Sequence, residues 1–135
     1  MKLRSHSHCI YKLTYHLVLV TKYRHKCITK EILEFLKKNI VDNLNKNDIG
    51  LLEFNGESDH IHLLIEAHPS MELSKVINNI KTVSSRMVRK EFKEYLQKFY
   101  WKPYFWKRGY CIVSTGGATI DIIRKYIEEQ ETPKK

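Results

Sequence analysis

The sequence lacks any apolar run approaching the roughly 20 residues that a membrane-crossing helix needs. Its longest nearly unbroken run, Leu17–Val20, has the length of a strand segment. The opening MKLRSHSHC has no apolar core of the kind a secretion signal carries. Cysteine is scarce: Cys9, Cys27 and Cys111 are odd in number, far apart, and form no C-x-x-C pair. Such cysteines read as free thiols in a reducing compartment, so the expected location is cytoplasmic. No repeat, low-complexity tract or compositionally disordered stretch is present.

What remains is a chain of 135 residues, 42% hydrophobic, which fits one domain spanning 1–135 with one core. Its formal net charge is +9 and its pI near 9.5. A small protein this basic attracts polyanions, of which nucleic acid is the commonest. No helix combines a Lys/Arg face with a Trp/Phe/Leu face in the pattern of a membrane-surface helix.

Residues 1–13 form a polar, basic arm. Tyr15–Arg24 (YHLVLVTKYR) is rich in β-branched and aromatic residues and predicts a strand. Thr29 is a candidate N-cap for a helix to about Asn45, with Ile32, Leu33, Leu36, Ile40 and Leu44 at helical spacing. Leu51–Asn55 and His60–Ala67 predict a hairpin turning at Gly56-Glu57-Ser58. Pro69-Ser70 then opens a long helix whose apolar stripe is Leu73, Val76, Ile77, Ile80, Val83 and Met87. Lys75, Asn79, Thr82, Arg86 and Arg89 make a polar and basic stripe beside it. An aromatic and basic connection, FYWKPYFWKRG, leads to a last strand at Tyr110–Ser114 and a helix at Thr119–Gln130. The order β-α-β-β-α-β plus a C-terminal helix predicts an α+β, ferredoxin-like (RRM-like) fold. Its four-stranded antiparallel sheet would carry two helices on one face.

The sharpest chemical feature is Asp59-His60-Ile61-His62-Leu63-Leu64-Ile65-Glu66. Alternate side chains of a strand share a face. Ile61, Leu63 and Ile65 therefore point into the core, and His60 and His62 project together from the other face. Their Cα atoms would stand roughly 7 Å apart, close enough for both rings to reach one ion. Imidazole suits borderline divalent metals; two surface histidines on an amphipathic strand would look the same. Glu66 shares that face as a rival ligand or as a group orienting a histidine. His6-Ser7-His8 lies in the polar arm, with no apolar alternation to hold it, and reads as non-ligating. On the last helix, Ile120, Ile123 and Ile127 make a buried stripe, and Tyr126 and Gln130 stack one turn apart beside it. Tyr126 is either a packing residue with its hydroxyl at the rim or a nucleophile, which would need activation because a phenol titrates near pH 10.

Taken together, Tyr15-His16-Leu17-Val18 with Thr21-Lys22-Tyr23-Arg24, Asp59-His60-Ile61-His62-Leu63, Ser114-Thr115-Gly116-Gly117-Ala118 and Tyr126-Ile127-Glu128-x-Gln130 occur in one order across nearly the whole chain. In this the sequence resembles the single-tyrosine HUH transposases of small bacterial insertion sequences, in the REP-associated tyrosine transposase superfamily. It departs from many members at Thr119, where Pro is expected.

The resemblance implies a transposase that cleaves and rejoins single-stranded DNA at hairpin-bearing transposon ends without ATP. The absence of a Gly-rich P-loop agrees with that. Mg²⁺ or Mn²⁺ would be held by His60, His62 and Gln130, and Tyr126, on a catalytic helix at 118–130, would form a 5′-phosphotyrosine. The resemblance also implies a homodimer with shared active sites, for which Gly116 and Gly117 would be the hinge. Lys22, Arg24, Lys75, Arg86, Arg89 and Arg108 are the candidate DNA contacts, with bases stacked on some aromatics of 99–109 while others seal the core. Competing readings are a non-catalytic single-strand nucleic-acid module, a related HUH enzyme or domesticated transposase, and a metal-dependent hydrolase serving water rather than Tyr126.

Overall fold

The computed structural model describes residues 4–6, 9–115 and 120–129. Gly116, Gly117 and Gln130 lie outside the described residues, as do Ser7 and His8. Within the 1–13 segment, β1 (Arg4–His6) pairs antiparallel with β2 (Cys9–Tyr11). The main elements are β3 (Leu13–Val20), α1 (Lys30–Lys46), β4 (Gly50–Gly56), β5 (His60–Ala67) and α2 (Leu73–Glu91). They continue with the short α3 (Lys93–Leu96), β6 (Cys111–Ser114) and α4 (Ile120–Glu128). Four antiparallel strands lie in the order β4-β5-β3-β6. This is the ferredoxin-like order, so the expected fold class holds.

Alternation along the strands sorts the sheet into two faces. Leu17 and Leu19 of β3 and Ile61, Leu63 and Ile65 of β5 are fully buried beneath α1 and α2. Helix α1 brings Ile32, Leu36, Ile40 and Leu44 to this core, and the Thr29 hydroxyl caps it by accepting from Ile32 N at 3.2 Å. Packing is tight where the β4–β5 hairpin meets α1: a Cβ on Gly56 would collide with the Cδ1 of Leu33. The other sheet face carries a smaller cluster, Val18 and Val20 packed with Cys111, Val113, Tyr126 and Ile127. Helix α4 thus lies over the face that α1 and α2 leave open.

Three local expectations are corrected. Strand β3 stops at Val20, and Lys22–Arg24 form a 3-10 turn instead of extending it. Thr21 N donates to Asp59 O and Lys22 N to Phe105 O, which ends the ladder, and Tyr23 and Arg24 both take positive φ, 59° and 57°. Pro69-Ser70 does not open α2: the Ser70 hydroxyl pairs with His68 Nδ1 at 3.0 Å, and the helix begins at Leu73 with Glu72 as N-cap. The buried line of α2 drifts through Ile77, Ile80, Ser84 and Val88, leaving Val83 and Met87 half-exposed. A helix turns by 3.6 residues, so steps of four bring Ser84 under the sheet edge.

There Trp106 donates its Nε1–H to Ser84 Oγ at 2.9 Å, and both side chains are buried. A buried indole needs that acceptor. Cys27 is also buried, and desolvation pushes its thiol up to about 11, so it is inert near neutral pH. Replacing Ser84 with Ala strands the indole N–H. Urea unfolding should then show a loss of about 1–3 kcal/mol, against less than roughly 0.5 kcal/mol for Ser74→Ala on the exposed face.

Candidate active site on the open sheet face

His60 and His62 emerge side by side on the outward face of β5, half-buried, while Ile61 between them is fully buried. Each imidazole is held by a neighbour. The His60 Nδ1–H donates to Asp59 Oδ1 at 2.8 Å, which turns Nε2 outward. Asp59 is buried and also receives Arg24 Nε on Oδ2 at 3.0 Å. Burial acts to raise the Asp59 carboxyl, but the hydrogen bonds from His60 and Arg24 outweigh it and hold the group below the usual carboxylate range. A carboxylate behind a histidine fixes the ring's tautomer and orientation and raises its basicity toward a metal.

His62 is positioned by a third histidine. Its Nε2 lies 2.8 Å from His16 Nδ1, and the two rings stack with centroids 5.0 Å apart. His16 sits diagonally across the β3–β5 pair, since Val18 is the residue directly opposite His62. Burial and the neighbouring His16 lower the His62 pKa, so the ring is neutral near pH 7, the form that binds metals.

The two histidines form one wall of a cleft of about 610 Å³. Asn55–Ser58 of the hairpin, Arg24 and Lys26 make its rim, and Arg124, Ile127 and Glu128 of α4 close it. Tyr126 shares the same sheet face and packs in the cluster of Val18 and Val20 of β3 with Cys111 and Val113 of β6. Lys107 Nζ stands 5.5 Å from the centre of its ring. Burial, with a contribution from Cys111, raises the Tyr126 phenol above its ordinary value. From β5 to β6 the sheet spans two strand spacings, on the order of 10 Å. The histidines and the tyrosine are thus neighbours on one surface, since Val18 and Val20 of the Tyr126 cluster stand opposite His62 and His60.

Asp59 is the carboxylate that orients His60, while Glu66 stands opposite Thr14 near the far end of β5. Among the described residues no three His, Cys, Asp or Glu side chains converge as a complete metal site. The donor chemistry still fits a divalent ion, because His60 presents an oriented Nε2, His62 is neutral, and both border one cleft.

The candidate DNA contacts separate into groups. Arg24 belongs to the histidine cleft. Lys22 lies over the Tyr23 and Tyr104 rings and borders a small cavity with Arg108. Arg86 and Arg89 line a second basic cleft at the end of α2, about 21 Å along the helix from the start where Lys75 pairs with Glu72. Sequence reasoning named His16 and Asp59 only as parts of motifs, without a role for either, and missed Arg124. The outward alternation of β3 carries the signal for His16, and adjacency to His60 carries it for Asp59; nothing local signals Arg124.

Comparison with known proteins decides the family. Residues 9–130 match the IS200-like transposase family. The chain belongs to that family. It is 31% identical over 121 residues to the ISDra2 transposase TnpA of Deinococcus radiodurans, covering 90% of this chain and 86% of the relative. It is 30% identical to the IS200 transposase of Salmonella typhimurium, over 94% of this chain and 82% of that protein. A crystal structure from Deinococcus radiodurans R1 described as a transposase superposes with a TM-score of 0.88 at 29% identity, covering 96% of this chain and 99% of the other. A REP-associated tyrosine transposase bound to a REP hairpin shares the fold, with a TM-score of 0.52 at 12% identity over 93% and 68% of the two chains. Among the described residues of this IS200-like transposase, no helix is long and apolar enough to cross a membrane.

The Arg24–Asp59–His60 chain gives a direct test. Arg24→Met keeps the aliphatic stem and leaves the buried carboxylate short of one charged donor. A loss of about 1.5–3 kcal/mol in urea unfolding is expected. An unchanged midpoint would show that the Arg24–Asp59 contact contributes nothing to stability.

Proposed function

We propose that this transposase cleaves and rejoins single-stranded DNA at hairpin-bearing ends of an insertion sequence, with Tyr126 as nucleophile. The observation that carries the reading is the pairing of His60 and His62 with a tyrosine-bearing helix on one open sheet face, in a chain of the IS200-like family. The REP hairpin held by a transposase of the same fold supports hairpin ends as the substrate.

His60 and His62 would hold Mg²⁺ or Mn²⁺, with Gln130 as third ligand. The bound ion would withdraw charge from the scissile phosphate and fix it for in-line attack. Asp59 keeps His60 oriented through its Nδ1, and His16 steadies His62. Arg24, Lys26 and Arg124 around the cleft neutralise the approaching backbone. The Tyr126 hydroxyl attacks phosphorus, the P–O3′ bond breaks, and the departing 3′ oxygen takes a proton. The product is a 5′-phosphotyrosine and a free 3′-hydroxyl. The 3′-hydroxyl of a second end then attacks the same phosphorus, and Tyr126 leaves and recovers its proton. One phosphodiester replaces another, so no ATP is consumed.

Tyr126 is carried by α4, which packs over Val18 and Val20, the residues opposite His62 and His60. We favour a homodimer in which Tyr126 of the partner subunit completes the site, with Gly116 and Gly117 as the joint. The free thiols of Cys27 and Cys111 suit a reducing cytoplasm.

The test is incubation with single-stranded hairpin DNA from the element's own ends and Mn²⁺, followed by mass mapping of adducted peptides. Label on Tyr126, abolished in Tyr126→Phe and in His60→Ala, is the expected outcome. Cleavage that persists in Tyr126→Phe would mean that water is the nucleophile. Asp59→Asn should weaken Mn²⁺ binding by about 10–100-fold.

A further inference from the structure

A second surface, sharing no lining residue with the histidine cleft, has the composition of a nucleotide site. Trp101 is 95% exposed, whereas Trp106 in the same connection is 7% exposed and hydrogen-bonded to Ser84. A fully hydrated indole at a loop tip contributes nothing to folding. Beside a cluster of cations, a ring this exposed is placed to stack an unpaired base. Trp101 stands between two cavities. One, of about 580 Å³, is lined by Arg86, Arg89, Lys90, Lys93 and Lys102 and by no carboxylate. Among the described residues none of these five cations is ion-paired. The other, of about 260 Å³, is an aromatic chamber containing Tyr23, His25 and Tyr104. Lys22 Nζ lies about 5 Å from the Tyr23 and Tyr104 ring centres, at 5.1 and 5.0 Å.

The loop that carries Trp101 is anchored. Tyr100 is buried, and its hydroxyl donates to Lys22 O at 2.6 Å. That contact ties the loop to the 3-10 turn at Lys22–Arg24, where two consecutive residues hold positive φ. The turn sends Tyr23 into the aromatic chamber and Arg24 into the histidine cleft. Uncompensated cations beside an exposed ring are the two components by which single strands are held, one for phosphates and one for base faces.

We propose that Trp101 and the basic cleft beside it form a docking platform for unpaired DNA. Arg86, Arg89, Lys93 and Lys102 take phosphates, and Trp101 stacks one base. The chamber behind Trp101 offers further ring faces to a neighbouring base. The bound strand continues past the Lys22–Arg24 turn toward the histidine cleft. The inference rests on the reading of this transposase as acting on single-stranded DNA.

The test is titration of the full-length chain with a short oligothymidylate, followed by tryptophan emission and by anisotropy of the labelled strand. Stacking on Trp101 quenches its emission in wild type. In Trp101→Phe the quench should vanish, with affinity kept within about threefold because a ring remains. In Trp101→Ala affinity should fall at least about fivefold, the lower end of what one lost base stack does. Arg86→Gln with Lys93→Gln should reduce the slope of log K against log salt by about 1.4, or roughly 0.7 per phosphate. Trp101 is solvent-exposed, so unchanged thermal melts for its variants will show that the fold is intact.

A quench that survives Trp101→Phe, or wild-type affinity in Trp101→Ala, overturns the proposal. So does tighter binding of oligouridylate than of oligothymidylate, which would make RNA the ligand. Concentration-dependent dimerisation lost in Trp101→Ala would instead assign the indole to an interface between copies and also overturn it. Failure of the Tyr126 adduct with an intact Trp101 quench would refute the nucleophile while supporting the platform. An adduct without the quench would do the reverse.

Discussion

The open face of the sheet is what the register between β3 and β5 makes it. The two strands pair without a break from Leu13 opposite Ala67 to Val20 opposite His60. A slip of one residue would turn Ile61, Leu63 and Ile65 to solvent and drive His60 and His62 under the helices. Each of those three side chains is essentially fully buried, and each contributes about 1.5–3 kcal/mol relative to exposure. The same apolar alternation that builds the core therefore presents both imidazoles to the cleft. The site's geometry follows from core packing, and it is then refined by two polar contacts, Asp59 on His60 and His16 beside His62.

How much of this was legible in the sequence follows from the range of the signals involved. The histidine pair was legible because period-two alternation is local, and Thr29 as a cap was legible because an N-cap is local. The end of β3 was not. YHLVLVTKYR reads as continuous strand, and what stops it is Thr21 N bonding to Asp59 O and Lys22 N bonding to Phe105 O, partners far along the chain. The buried line of α2 was misjudged for a related reason. Ser84 looks like a surface residue until Trp106 is placed against it. Asp59 precedes β5 and so escapes the alternation that made Glu66 the more obvious partner of a histidine. Trp101 and Trp106 sit in nearly identical local sequence, and only tertiary packing makes one a core residue and the other a solvent-exposed ring.

The position of α4 links fold to function. Its packing over Val18 and Val20 covers apolar surface that α1 and α2 cannot reach, and it brings Arg124, Ile127 and Glu128 to the cleft. The same packing half-buries Tyr126 among Val18, Val20, Cys111 and Val113, and burial raises its phenol above the ordinary value. The IS200-like family assignment, the paired imidazoles and the tyrosine helix are thus consistent with one another, each from a separate observation.

Crystals grown with Mn²⁺ and measured at the manganese absorption edge address the account most directly. An anomalous peak within coordinating distance of both His60 and His62, and absent in His62→Ala, is the expected result. Manganese bound elsewhere on the chain, with both imidazoles free of metal, would contradict it.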